Sequence, residues 1–542
     1  MSVFIGYPSF MAYQMMKGKK GNNDGFPSVP GMIARYSALG LTNEQMAANP
    51  VWVDKTGNGH DLQMKNFVWK EGSGISDIYP GALVFDGVDD YGVCENFPIL
   101  TKEKGYTVVA LRQRISTGEG ICGLVSNTKN WFKDGAFILE YSYTKNSYFN
   151  RPVSFGAIGS EKDLPHILTY QTSKSYNGVS IAVGSFIGTD QLYVGKINNI
   201  IGNCTNAAIW ELVFLDHDAT EEELTKIKDY FVKTYPWLFP DQAWTVTGKT
   251  NEDEDRATIA NITGNDNNLV LSNFGFAEGS GYGLYKTPFE LYPSVQHSSK
   301  YSLSFSKFAL GDHSLIIAPK QNDLSYDIKV KVTGLKDGVK FKWGWIGTTG
   351  YIDITTDGIH MLNKPASQIR QLIVEFAEDF DPDHVVTIEQ IPEYEGYLVT
   401  DGVDDKITSS TFEMGNDWTV IGDWELINTG KNDNAGIVKF NSIVIYNYNP
   451  ILINIKNGRN NLIPDQNTVN AICSDGRIYS KDWKESIYNE ETESTSKNLL
   501  TIGYSGNNYT KIAFRNLAIY PTVLSKEDCI KAYNYLQTLK AK

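Results

Sequence analysis

Six carboxylates that could do chemistry are gathered in two copies of one pentapeptide, Asp-Gly-Val-Asp-Asp, at residues 86–90 and 401–405. Asp86, Asp89 and Asp90 place three acids within five residues, and Asp401, Asp404 and Asp405 do the same. Hard cations take several carboxylate and carbonyl oxygens, so both clusters are candidate Ca²⁺ sites. The same residues have a structural use, which we weigh ahead of the metal. Asp-Gly supplies the positive φ of a tight turn, and Asp side chains bond nearby backbone amides. The EF-hand spacing, Asp-x-Asp-x-Asp-Gly with a Glu at position 12, is absent. No other cofactor is expected.

Sugar binding is the second candidate chemistry. A pyranose face stacks on an aromatic ring while its hydroxyls need polar partners. Trp131, Tyr143, Trp343, Trp345 and Trp483 are the candidate ring residues, although a core or interface role is the commoner fate of such side chains. Catalysis has less to draw on. Retaining glucanases carry their acids as Glu-x-Asp-x-x-Glu on one strand, and that string is missing. The nearest acidic run, Asn251-Glu252-Asp253-Glu254-Asp255, has the composition of a solvated loop. There is no Gly-x-Ser-x-Gly elbow, and the 7 histidines are scattered. The 5 cysteines are odd in number and widely spaced, without a Cys-x-x-Cys pair, which predicts free buried thiols and no zinc centre. The expectation is a protein that is not an enzyme.

The elements that must position these residues are strands. With 31 Tyr, 25 Phe, 11 Trp and 48 Gly but few long Ala/Leu/Glu/Lys runs, the composition favours β architecture. A chain of 542 residues exceeds one domain. A net charge of −14 excludes a phosphate-neutralising face, so no nucleic-acid partner is expected. No stretch reaches the apolar length of a membrane span, and the start of the chain lacks the pattern of a signal peptide, so synthesis in the cytoplasm without export by the general pathway is expected. Residues 1–30 form an arm: an apolar tip, then the linker composition of Lys17 to Gly25.

A repeat organises the rest of the chain. Gly57 and Gly74 recur as Gly264 and Gly281, each 207 residues downstream, and Asn66-Phe67 recurs as Asn273-Phe274. The pentapeptides lie 315 residues apart, so copy two carries 108 surplus residues before its turn. That surplus, residues 286–396, alternates as strands over Asp327–Val332 and Lys340–Ile346, and is expected to be an inserted small β-sandwich. Both copies end in a strand and a short capped helix. Thr220 with Glu223 has capping-box spacing, and Ser525 with Asp528 mimics it. The expected domains are the arm at 1–30, module one at 31–240, module two at 244–285 plus 397–542, and the insert at 286–396.

The order Trp52-x-Asp54-x-x-Gly57-Asn58-Gly59-x-Asp61-Leu62, then Phe85 to Tyr91, then Tyr106-Thr107-Val108 and a closing strand and helix, resembles laminin-G-like, concanavalin A-type lectin and glucanase modules. It looks most like those in virion proteins of bacteriophages that infect gut Bacteroides-type bacteria. Copy one matches over residues 50–238. Copy two departs, with Thr400 for Phe85, Lys406 for Tyr91 and no leading Trp-x-Asp. The resemblance implies an all-β fold of two concanavalin A-like jelly-roll sandwiches. It also implies a virion part: a head fibre, capsid decoration or tail appendage. Its arm would hold other virion proteins, its modules could grip a host surface polysaccharide, and such appendages are commonly trimers. The alternative is a bacterial carbohydrate-binding or glycan-degrading protein of the same fold.

Overall fold

The computed structural model describes residues 24–541 with breaks, the longest at 128–136, 152–163, 292–300, 307–316, 428–435 and 488–497. Mostly strand, the chain forms several antiparallel sheets and two compact units. Unit one comprises the chain through Asp241 together with Ile519–Leu539; unit two is Gln242–Ala518 with the last residues. By sequence, Ile519–Leu539 closes copy two. In the fold it groups with unit one, where the Tyr520 hydroxyl donates to the Trp237 carbonyl at 3.1 Å and Lys531 lies 4.0 Å over the Trp237 ring. Among the described residues, no helix is long and apolar enough to cross a membrane.

In unit one the long strands Thr107–Ser116 and Asn206–Leu215 pair at the centre of an eight-stranded sheet, and Tyr91–Cys94 lies in a seven-stranded one. Side chains from both, among them Val108, Ala110 and Phe214 from the first and Leu62, Met64 and Val194 from the second, fill one core. Alternation sends Val109, Leu111 and Val213 to the opposite face of the first sheet, yet they are equally buried. Helix α2 (Glu221–Thr234; α1 is Asn43–Ala48 and α3 Lys526–Leu536) buries Leu224, Ile227, Tyr230 and Phe231. Its capping box at Thr220 forms as the sequence predicts, and Ser525 caps α3. Helix α1, also boxed by Thr42 and Gln45, was not expected.

Under α2 lies a buried ion network that the sequence did not advertise. Arg35 donates to Glu211 at 3.1 and 3.2 Å, to Tyr230 at 3.1 Å and to Asp24 at 2.7 Å. Burial pushes the Glu211 acid up, against the pull of Arg35. Burial also opposes the Asp24 charge, but the Arg35 pairing outweighs it and holds that acid below its usual range. The Arg35 guanidinium also covers the Phe26 ring at 4.0 Å. The last residues of the expected arm, 24–30, thus dock on unit one, with Phe26 and Val29 buried. Residues 1–23 lie outside the described residues.

Unit two has two eight-stranded sheets. Its chain leaves one of them at Leu284, which pairs with Glu393 where it returns. Among the described residues, the strands in between pair only with one another, in sheets of two, four and three. The strand Ile328–Thr333 alternates buried and exposed as its sequence predicts. Cys94, Cys204, Cys473 and Cys529 are buried and outside any disulfide; Cys122 lies outside the described residues.

Candidate functional site

The two pentapeptides fold alike. Asp86 Oδ1 accepts the amides of Val88, Asp89 and Asp90 at 2.7, 3.2 and 3.4 Å, while Asp90 Oδ2 accepts the Asp86 amide at 3.0 Å. In unit two Asp401 Oδ1 takes Val403, Asp404 and Asp405 at 2.7, 3.2 and 3.3 Å, and Asp405 Oδ2 takes Asp401 at 2.7 Å. Gly87 and Gly402 sit at φ +80° and +78°, where a side chain would be strained. The flanking loop is tied in identically: Asn66 Nδ2 donates to the Asp89 carbonyl and Asn273 Nδ2 to the Asp404 carbonyl, both at 3.0 Å.

The tight turn that Asp-Gly suggests does not close a hairpin. Leu83–Asp86 belongs to the eight-stranded sheet and Tyr91–Cys94 to the seven-stranded one, so the bend carries the chain from one sheet to the other. Glu393–Val399 and Lys406–Phe412 are likewise divided between the sheets of unit two.

One oxygen from each acid of a turn lies within 4.8 Å of the others, which keeps Asp86, Asp89 and Asp90, and Asp401, Asp404 and Asp405, as candidate cation ligands. The donor set fits Ca²⁺ poorly, because amides already occupy Asp86 Oδ1 and Asp90 Oδ2. Burial, reinforced by the charges of Asp86 and Asp89, pushes the Asp90 acid up to about 7, against the help of Ser73 and the Asp86 amide. Asp405 is pushed up to about 7 in the same way.

Of the sugar-binding candidates, Trp131 lies outside the described residues. Tyr143 falls in the strand Phe137–Thr144 and Trp343 and Trp345 in Val339–Trp345, whose side chains at those positions are outside the description. Trp483 is different. It occupies the turn between Arg477–Ser480 and Glu485–Ile487, half-buried, at φ +55°, with its ring 6.2 Å from that of Tyr479. Arg477 donates through Nε to Asp475 at 2.7 Å and through Nη1 to the Tyr479 hydroxyl at 3.1 Å. Glu485 faces Tyr479 across the hairpin. The side chains of Arg477 and Asp475 are 25% and 40% exposed, so the fork is open to solvent beside the indole. Tyr479 is fully buried, so only the half-buried Trp483 ring and the Arg477–Asp475 fork reach solvent, a ring and a polar fork of the kind a pyranose engages. The period-two spacing of Asp475, Arg477 and Tyr479 was the sequence signal for this cluster, and it was missed.

No family model matches the sequence, and no curated protein matches it. Among solved structures it is similar to the Trypanosoma rangeli sialidase in complex with the inhibitor DANA, at 13% identity and a TM-score of 0.26 over 40% of this chain. The chain spans 37% of that sialidase. It is also similar to the botulinum neurotoxin serotype G binding domain, at 10% identity and a TM-score of 0.21, over 71% of this chain and 89% of that one. Likeness at this level carries no functional argument.

Proposed function

We propose that the chain is a non-enzymatic structural or appendage component of a bacteriophage virion, a head fibre, capsid decoration or tail appendage, that binds host surface glycans. It is built from two concanavalin A-like jelly-roll modules, the second interrupted by a small β-sandwich. Residues 1–23 attach it to other virion proteins, and it works as an oligomer, with a trimer the expected form.

The observation that supports this reading is how the resemblance positions are used. They hold sheets together, and in both units they do so through three corresponding amide bonds. Asp54 Oδ1 accepts the amides of Arg35 and Thr56 at 3.1 and 3.0 Å, and Asp61 Oδ1 accepts that of Asp54 at 2.9 Å. In unit two Asn261 Oδ1 accepts Ala243 and Thr263 at 3.4 and 3.0 Å, and Asn268 Oδ1 accepts Asn261 at 2.9 Å. The three amide bonds survive the exchange of carboxylate for amide, although Asp54 Oδ2 also accepts the His60 amide at 3.3 Å where Asn261 Nδ2 donates to Gln242 instead, so these positions serve the fold. Recognition then falls to surface clusters, of which the one at Trp483 has the chemistry of a sugar site.

The test is assembly. A chain lacking residues 1–23 keeps the Asp24–Arg35 pair and should fold, but should not join particles. Full occupancy of particles by the truncated chain would refute attachment through the arm. Release of reducing sugar from bacterial polysaccharide by the pure protein would favour the glycan-degrading alternative.

A further inference from the structure

Helix α2 carries two things side by side: the point where the arm joins unit one, and an open apolar groove. The join is at Asp24. Its carboxylate binds Arg35 at 2.7 Å, and its carbonyl accepts the Tyr230 hydroxyl at 3.5 Å. The Phe26 ring meets the Tyr230 ring edge-on at 4.8 Å. The groove, of about 530 Å³, lies between the last turns of α2 and the residues that lead into α3. That volume is within the range of about 300–1,000 Å³ usual for ligand sites. Val232, Pro236, Phe239, Pro521 and Val523 supply its apolar surface. Val232 is 45% exposed, and Phe239 and Val523 are half-buried. The charges around it balance: Asp229 and Asp528 share the lining with Lys233, and Lys531 pairs with Asp528 at 3.3 Å.

Such a groove suits an apolar segment without charge, and one is tethered beside it. Residues 1–16 contain no Asp, Glu, Lys, Arg or His, but include Phe4, Ile5, Tyr7, Phe10, Met11 and Tyr13. The linker Lys17–Asn23 joins them to Asp24. Its length allows about 25 Å when extended and about 15 Å as a flexible coil. Val232 and Lys233 lie only about 3 and 4.5 Å beyond Tyr230 along the helix axis. A tether this short holds its end at an effective concentration on the order of millimolar, so a weak contact suffices to fill the groove.

We propose that this groove holds the apolar tip of the chain's own arm, residues 1–16, while the protein is free. Rings and methionines of the tip cover Val232, Phe239 and Val523, which otherwise face water. Held there, the tip is withdrawn from non-specific association until a larger apolar surface on a partner displaces it. Storage in the groove is a property of the free chain and is separate from attachment to a particle.

The experiment places the photocrosslinker benzoylphenylalanine at position 13 of the full chain, irradiates dilute protein and maps the products by mass spectrometry. Crosslinks within one chain to Val232, Phe239 or Val523 are expected. Chymotrypsin then reads the arm through cleavage after Phe10 and Tyr13. Val232→Lys replaces an exposed side chain, so melting should hold, while the crosslinks are lost and the arm is cut about tenfold faster. Crosslinks that avoid the groove, or that join two copies, would overturn the proposal, as would an unchanged cleavage rate in folded Val232→Lys. No particle is present, so these outcomes leave attachment through the arm to the assembly test.

Discussion

The Asp90 carboxylate accepts the backbone amide of Asp86 at 3.0 Å, so a fully buried acid latches the bend that carries the chain between the two sheets of unit one. Asp405 latches Asp401 in unit two at 2.7 Å. Both acids are raised to about 7 by burial. An unfolded Asp releases its proton near pH 4, whereas these keep theirs to about pH 7. Between those values the folded state binds more protons, so stability falls as pH rises and levels off above about 7. Each site contributes on the order of 2–4 kcal/mol across that window. The double variant Asp90→Asn, Asp405→Asn should lose this part of the slope between about pH 4 and 7, read as urea midpoints. An unchanged slope would contradict the assignment.

Chelation should do nothing. Amides already fill Asp86 Oδ1 and Asp401 Oδ1, so EDTA and added Ca²⁺ are expected to leave the melting temperature within a degree or so. A rise of several degrees in millimolar Ca²⁺ would give the turns a cation after all.

The bend also demands glycine. At Gly87 a Cβ would stand 2.7 Å from the Asn206 Cβ, at φ +80°. Gly87→Ala should destabilise unit one by about 2 kcal/mol or more. At Gly57, φ +78°, an added Cβ would meet nothing within 4 Å, and the same change should cost only about 1 kcal/mol. Equal losses in denaturant titrations would mean that crowding at Asn206 is relieved by movement.

Arg35→Ala would leave Glu211 buried without its partner, and should cost unit one about 3–5 kcal/mol. Removing residues 1–23 should be neutral, while removing 1–26 takes away Asp24 and the Phe26 ring and should be destabilising. Melting curves of the two truncations, side by side, check where the arm ends and the unit begins.

Much of this organisation was legible in the residues. The 207-residue offset between Gly57 and Gly264 anticipates the paired bonds of Asp54 and Asn261, because side chains that cap the same amides recur at the same spacing. In copy two the chain leaves its sheet at Leu284 and rejoins it at Glu393, a little before the boundary expected at 396. What escaped depends on long-range partners. Asp-Gly-Val-Asp-Asp looks the same whether its flanking strands pair with each other or with different sheets. Arg35 and Glu211 are 176 residues apart, so nothing local announces their pairing. The Trp483 cluster lay between: its spacing was local, but the fork opposite the ring becomes meaningful only when the hairpin closes. Copy two's final helix groups with unit one, and no pattern internal to a repeat can express that.

That grouping bears on how the molecule is made. Unit one contains the chain through Asp241 and also Ile519–Leu539, which a ribosome delivers only after nearly all of unit two. The nascent first unit must therefore wait, its Trp237 uncovered by Tyr520 and Lys531, while the second is synthesised. Vectorial synthesis and folding order part company here: the half that emerges first is completed only as synthesis ends.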